Sequence, residues 1–174
     1  MNRKIILLAF TAVLVLTGHM TAWAQTGTHL KGGGHKMPEI VVWYSEPREI
    51  TDIRLLLQAG KQAAALEKAR NYVASLHNVA GTEAEIRRYY GLSALCAALT
   101  SSGELPKAID SCTAAIDIFP TRWQALNNRG VAYYASGQID KAMQDYSLAL
   151  NQVQDSEPIM ELIQHNIALA GPKK

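Results

Sequence analysis

Residues 92–150 read LSALCAALTSSGELPKAIDSCTAAIDIFPTRWQALNNRGVAYYASGQIDKAMQDYSLAL. Within this stretch one helical hairpin is written twice. Gly103 is followed by Ala108, Cys112 and Ala115, and Gly137 by Ala142, Tyr146 and Ala149. Each member of the first set stands 34 positions before its partner in the second. A fixed period of that length marks a repeat array, in which one two-helix unit stacks on the next and neighbours bury a shared core. The predicted fold class is therefore all-α. Stacked arrays present extended concave surfaces, so the functional question becomes what such a surface receives.

The same punctuation extends outward from this core. Gly60, Gly103 and Gly137 stand at the turns inside three helix pairs. Gly60 precedes Gly103 by 43 positions, nine more than the period. The insertion fits the region 75–83. The predicted helices are 46–59 with 61–76, 83–101 with 105–118, 122–135 with 139–152, and a single final helix over 157–169. The first pair is degenerate. It keeps Gly60, Ala65, Ala69 and Tyr72, but its first helix offers only Ile53 and Leu56 as inner contacts. Ser45-Glu46-Pro47 and Ser156-Glu157-Pro158 read as helix starts, with a Ser N-cap and Pro where a missing N–H does no harm. Thr82 with Glu85 and Thr121 with Gln124 match a capping box. On the final helix Ile159, Leu162, Ile163, Ile167 and Leu169 form a broad apolar stripe. Glu161, Gln164 and Asn166 are expected on its polar side.

The first residues read as an address. Arg3 and Lys4 precede the apolar run Ile5–Leu16, and Ala22-Trp23-Ala24 offers the small-x-small site of a signal peptidase. This is the pattern of a secretory signal, residues 1–24, cleaved after Ala24. The alternative is a retained N-terminal anchor, for which the apolar run is short. His19 stands where lipidation would need a Cys, so a lipid-anchored form is not expected. The exported protein is expected to be soluble in the periplasm or secreted, with no membrane span. Removal of residues 1–24 takes Arg3 and Lys4 and no acid, so 17 basic and 15 acidic residues become 15 and 15. Zero net charge withdraws support from nucleic acid or an anionic membrane as partner. The remaining stretch of about 150 residues is large enough for one domain with a real core.

Between the signal and the first helix, residues 25–45 divide in two. Gln25 to Met37 is polar and includes Gly32-Gly33-Gly34. Such a stretch buries too little apolar surface to offset its ordering entropy and reads as flexible. Ile40-Val41-Val42-Trp43-Tyr44 is a β-branched and aromatic run that reads as extended, lying across the first helices or at an interface.

The second and third pairs resemble the tetratricopeptide repeat. Its pattern is a large residue, then Leu-Gly, Tyr, Ala, an aromatic and Pro. The third pair supplies Leu126, Arg129-Gly130, Tyr133, Ala142 and Tyr146. The second supplies Leu92, Leu95-Cys96, Leu99, Ala108, Cys112 and Pro120. Cys96 departs from the expected Gly, Cys112 from the aromatic and Gln154 from the closing Pro. The domain limits that follow are 46–170, with a degenerate repeat at 46–79, repeats at 89–122 and 123–156, and a capping helix at 157–170. The resemblance implies a right-handed superhelix of about three antiparallel pairs. Small residues at helix crossings allow close approach, so Gly130 and Ala142 are expected to face each other with Tyr133 and Tyr146 alongside.

Cys96 and Cys112 occupy inward slots at similar heights on either side of Gly103. An even count in an exported protein invites a disulfide. The alternative is two buried thiols acting as small hydrophobes. The pair lacks the Cys-x-x-Cys spacing of a redox catalyst. His29, His35, His77 and His165 show no zinc-site spacing, so no metal and no cofactor are expected, although His29 and His35 can hold a metal loosely. The sequence has no Gly-x-Ser-x-Gly, Ser-x-x-Lys, His-Glu-x-x-His or phosphate loop. An enzyme is not expected.

By the resemblance, the first helix of each pair lines the concave face. The groove positions are then Tyr90, Ser93, Ala97 and Thr100, with Gln124, Asn127, Asn128, Val131 and Tyr134. Amide side chains offer donors and acceptors to an extended peptide, and the tyrosines add amphipathic area. Ser93 and Ala97 stand where the family's clamp for a C-terminal carboxylate needs a cation and an amide. Arg54, Arg87, Arg88 and Arg122 lie instead at repeat junctions. The expected role is a non-catalytic adaptor of the bacterial envelope that binds a protein or peptide of unknown identity. The rivals are a self-associating structural subunit, with Trp43-Tyr44 or the first pair as the sticky edge, and a binder of small molecules or cell-wall fragments through Tyr90, Asn127 and Tyr134.

Overall fold

The computed structural model describes residues 46–153 and 156–171. The expected signal, the flexible segment, the extended run 40–44 and the Ser45 cap lie outside the described residues, as does Gln154. Seven helices follow in order among the described residues: α1 Arg48–Gln58, α2 Gln62–Ser75, α3 Thr82–Ser101, α4 Leu105–Ile118, α5 Trp123–Ala135, α6 Ile139–Asn151 and α7 Glu157–Ala170. The all-α expectation holds, and the helix limits agree with the predicted ones to within two residues. Sequential helices pack as antiparallel neighbours. In addition α3 touches both α1 and α5, and α5 touches α7, whereas α2, α4 and α6 do not touch one another. The odd-numbered helices therefore form the inner layer and the even-numbered helices the outer one.

Three helices end in the same way. Gly60, Gly103 and Gly137 have φ of 69°, 78° and 77°. That left-handed backbone suits glycine and closes a Schellman motif. In each case the residue after the glycine donates its N–H back five positions, as from Glu104 to the Leu99 carbonyl and from Gln138 to the Tyr133 carbonyl. The nine-residue insertion lies between α2 and α3, where Arg88 donates to the carbonyls of Leu76 and Val79 and so ties the loop to α3.

Helix starts differ from expectation. None of the seven has a side-chain N-cap bond. Thr82 is the first residue of α3, not its cap, and Gly81 takes that place. Ser156 does precede α7, with Pro158 in the first turn, but makes no capping bond. The expected Thr121 box is replaced by a partner from another helix. Tyr89 of α3 is fully buried, and its hydroxyl accepts the Ala125 N–H at 3.3 Å and donates to Gln124 Oε1 at 3.1 Å. Burial pushes this phenol well above its ordinary range.

Each pair is closed at one crossing. In the third, Gly130 faces Tyr146, not Ala142 as expected. A Cβ on Gly130 would stand 2.5 Å from Tyr146 Cε1. In the second, Cys96 and Cys112 are disulfide-bonded and wholly buried, with Cα atoms 5.3 Å apart. In the first, Ile53 and Ala69 hold the same two register positions and are also buried. One step earlier in register lies a polar layer. Asp52 pairs with Lys68 at 2.7 Å, Ser111 donates to the Leu92 carbonyl, and Arg129 grips Asp145 with two N–H groups at 2.8 and 2.9 Å.

The capping helix is turned differently from its predicted stripe. Ile163 is buried, and Ile159 and Ile167 pack on the core of the third pair. Leu162 and Leu169, expected on that stripe, are instead exposed, at 37% and 52%. Asn166, expected on the polar side, points inward. No described helix is long and apolar enough to cross a membrane.

Candidate functional site: the inner face

The inner face is built by α1, α3, α5 and α7, and its composition follows from how these helices are joined. Asn128 of α5 reaches back to α3, donating to the Ser93 hydroxyl at 3.1 Å and the Ser93 carbonyl at 3.2 Å. Asn127 reaches forward to α7, where its Oδ1 accepts from Asn166 Nδ2 at 2.9 Å. Gln124 accepts from Tyr89 as described above. Four of the seven expected partner-binding residues, Ser93, Gln124, Asn127 and Asn128, are therefore engaged inside the protein. Ser93 and Asn127 are buried, at 5% and 6% exposure. The reason is physical. Neighbouring helices of the inner layer pack closely, so short polar side chains at their contacts must be satisfied within the protein. Thr100 likewise donates to the Cys96 carbonyl of its own helix.

The other three expected residues stay open in part. Tyr134 is 39% exposed and Val131 and Tyr90 are half-buried. Residues not predicted for the site join them. In the 34-residue register, Leu162, His165 and Leu169 of α7 repeat the positions of Asn128, Val131 and Ala135 of α5. Leu162 and Leu169 are exposed and lie about one helical turn on either side of Asn166, the α7 residue bonded to Asn127 of α5. Their apolar character is visible in the sequence, where the helical stripe places them on the buried side.

At the other end of α5, Arg122 is set among three rings. Its guanidinium carbon lies 4.6 Å from the Phe119 ring centre, 5.1 Å from Tyr89 and 5.5 Å from Tyr90. Tyr89 also meets Tyr90 and Phe119 edge to face. One Arg122 N–H donates to the Tyr90 hydroxyl at 3.2 Å. A shallow open hollow lies elsewhere, between α1 and α2, lined by Asp52, Leu55, Leu56, Ala59, Lys61 and Lys68. The hydrogen bond from Lys68 holds the Asp52 carboxyl below the usual carboxylate range. Among the described residues, no three His, Cys, Asp or Glu side chains gather as a metal site would need.

No family model and no curated protein sequence matches this protein. Solved structures do. The first tetratricopeptide repeat domain of the human RPAP3 protein, determined by NMR, superposes with a TM-score of 0.50 at 16% identity, over 70% of this chain and 91% of that one. The crystal structure of the tetratricopeptide repeat domain of P58(IPK) gives 0.52 at 20% identity, over 72% of this chain. This chain spans 34% of the length of the P58(IPK) domain structure. The fold is that of the tetratricopeptide repeat. At these identities the likeness is one of fold alone.

Proposed function

We propose that the protein is a non-catalytic adaptor that binds a protein or peptide partner on its inner face. The observation that carries this reading is the exposure of Tyr134, Leu162 and Leu169 beside the half-buried Val131, on the layer where Ser93, Gln124, Asn127 and Asn128 are already paired. Exposed apolar side chains that share a concave face mark an interaction surface. Tyr90, Val131 and Tyr134 are the partner-binding residues retained from the sequence, and Leu162 and Leu169 are added to them. Ser93, Gln124, Asn127 and Asn128 act indirectly, by fixing the spacing of the inner helices. The repeat limits 46–79, 89–122 and 123–156 stand in this reading as its structural units.

The setting we infer is the bacterial envelope, reached through the signal at residues 1–24, with Gln25 as the mature N-terminus. N-terminal sequencing of the exported protein tests this, and a product that keeps Met1 would refute it. The adaptor reading is tested by in-cell crosslinking and mass spectrometry of the parent beside a Tyr134→Ala, Leu162→Asn, Leu169→Asn variant. All three positions are exposed, so the fold is expected to survive. Capture of one envelope protein by the parent and not the variant supports the reading. A second reading, self-association through α7, draws on the same two leucines. Self-crosslinks alone, with a scattering mass that doubles on concentration, would put it in place of the adaptor.

A further inference from the structure

The three helix pairs close at one register, but only the second closes through a bond that redox chemistry can open. At the other two crossings a large side chain stands with a small one, Ile53 with Ala69 and Tyr146 with Gly130. At the second, two side chains of equal length meet end to end. Cys96 of α3 and Cys112 of α4 have Cα atoms 5.3 Å apart. Both are wholly buried, in the cluster that also holds Ile53, Ala69, Leu99 and Ala108.

Two thiols do not fit where two bonded sulfurs lie. Non-bonded heavy atoms stand about 3.5–4.0 Å apart at best contact, well beyond bonding distance. A close-packed interior leaves no slack for the added separation. Opening the bond therefore displaces α3 relative to α4. Such a movement has far to spread, since α3 touches α1, α2, α4 and α5. Ser93, about one turn before Cys96, accepts from Asn128 of α5 through its hydroxyl and its carbonyl. Thr100, about one turn after, donates to the Cys96 carbonyl. The link that spaces α3 from α5 is thus anchored on the turn beside the bond.

We propose that the Cys96–Cys112 crossing is a redox latch on the central helix α3. With both thiols reduced, α3 and α4 stand apart and the Ser93–Asn128 link is out of register. Oxidation closes the crossing and completes the inner face. The closing oxidant is a disulfide carrier, such as oxidised glutathione or an oxidised dithiol protein. One cysteine thiolate attacks the carrier disulfide, forming a mixed disulfide and releasing one carrier thiol. The other cysteine then attacks the bonded cysteine sulfur, which forms the Cys96–Cys112 bond and releases the second carrier thiol. Two electrons and two protons pass to the carrier. Because both cysteines are wholly buried in the closed form, reductant reaches the bond only when the crossing opens. The latch is therefore set once, on leaving a reducing compartment, and then shielded. Its use in the cell rests on the export reading of residues 1–24, which N-terminal sequencing tests separately.

The test compares the full protein in its oxidised form with the same protein refolded in dithiothreitol. NMR follows the α3 and α4 backbone amides and the Asn128 side-chain amide, with α7 as reference. On reduction the α3, α4 and Asn128 signals are expected to move and those of α7 to stay. Movement confined to the residues beside the sulfurs would make the bond a staple on the unfolded chain and overturn the latch. A reduced chain with no fold by circular dichroism would overturn it as well. Dithiothreitol is expected to reduce the native protein about a hundredfold more slowly than the same chain in concentrated urea. Equal rates would overturn the shielding. Cys96→Ile with Cys112→Ala copies the first pair and closes the crossing by shape. Its Asn128 signals are expected at the oxidised position even in reductant. A folded variant with those signals at the reduced position would overturn the proposal.

Discussion

The second and third helix pairs solve one packing problem with opposite chemistry. At the same two register positions, 34 residues apart, one has Cys96 and Cys112 and the other Gly130 and Tyr146. The cysteines share the space equally and are joined by a covalent bond. The glycine yields all of it, and the tyrosine ring lies against its backbone. The first pair gives a third solution, with a large Ile53 on the first helix and a small Ala69 on the second. What the repeat specifies at this crossing is a volume to be filled, since cores tolerate exchanges that conserve volume and punish those that do not. The polar layer one step earlier behaves likewise: acid then base in the first pair, base then acid in the third.

The contrast between the two crossings is most vulnerable at Tyr146. Tyr146→Ala empties the crossing of the third pair and is expected to cost about 3–5 kcal/mol, the range for removing a buried aromatic ring. Urea unfolding measures it, and a loss below about 1 kcal/mol would mean that the pair collapses around the gap. Next comes the second pair. Replacing both cysteines by alanine is expected to cost roughly 3 kcal/mol, the loop-closure entropy expected for a loop of this length. The parent should lose a similar amount in reductant. No loss in reductant would show that two packed thiols hold the crossing as well as the bond does.

A smaller effect is expected at Gly130. Gly130→Ala places a methyl group against the Tyr146 ring, and overpacking of this kind costs about 1–3 kcal/mol. The better helix propensity of alanine returns up to about 1 kcal/mol. Combining Gly130→Ala with Tyr146→Ala should remove most of the penalty, which a double-mutant cycle reads directly. The last effect is confined to alkaline solution and is a slope with pH. Burial pushes the Tyr146 phenol up to about 12, above its value of about 10 in an unfolded polypeptide. The folded state then keeps a proton that the unfolded state loses. The contribution is complete below about pH 10 and falls by about 1.4 kcal/mol per pH unit as the pH rises toward the folded value. Tyr146→Phe should flatten this part of the profile, while Tyr89, also raised by burial, keeps its own share.

The helix pairs were legible in the sequence. Glycine at positive φ ends a helix by local backbone sterics alone, so Gly60, Gly103 and Gly137 were readable without knowledge of their neighbours. The same holds for the spacing from these glycines that aligned Ala65, Ala108 and Ala142, all of them fully buried. Pairing of Cys96 with Cys112 was open between two alternatives until helix packing brought their Cα atoms within reach. Where the polar groups went was settled by tertiary packing. Local capping boxes at Thr82 and Thr121 lost to Gly81 and to a tyrosine from a different helix, because a buried hydroxyl must find a partner wherever packing supplies one. Asn127, Asn128 and Ser93 looked like donors and acceptors for a ligand. A repeat pattern shows which face a residue occupies but not how near the next helix comes. That distance committed the amides to the scaffold, and only the packed structure shows that Leu162 and Leu169 stay exposed and that Arg122 is held by rings.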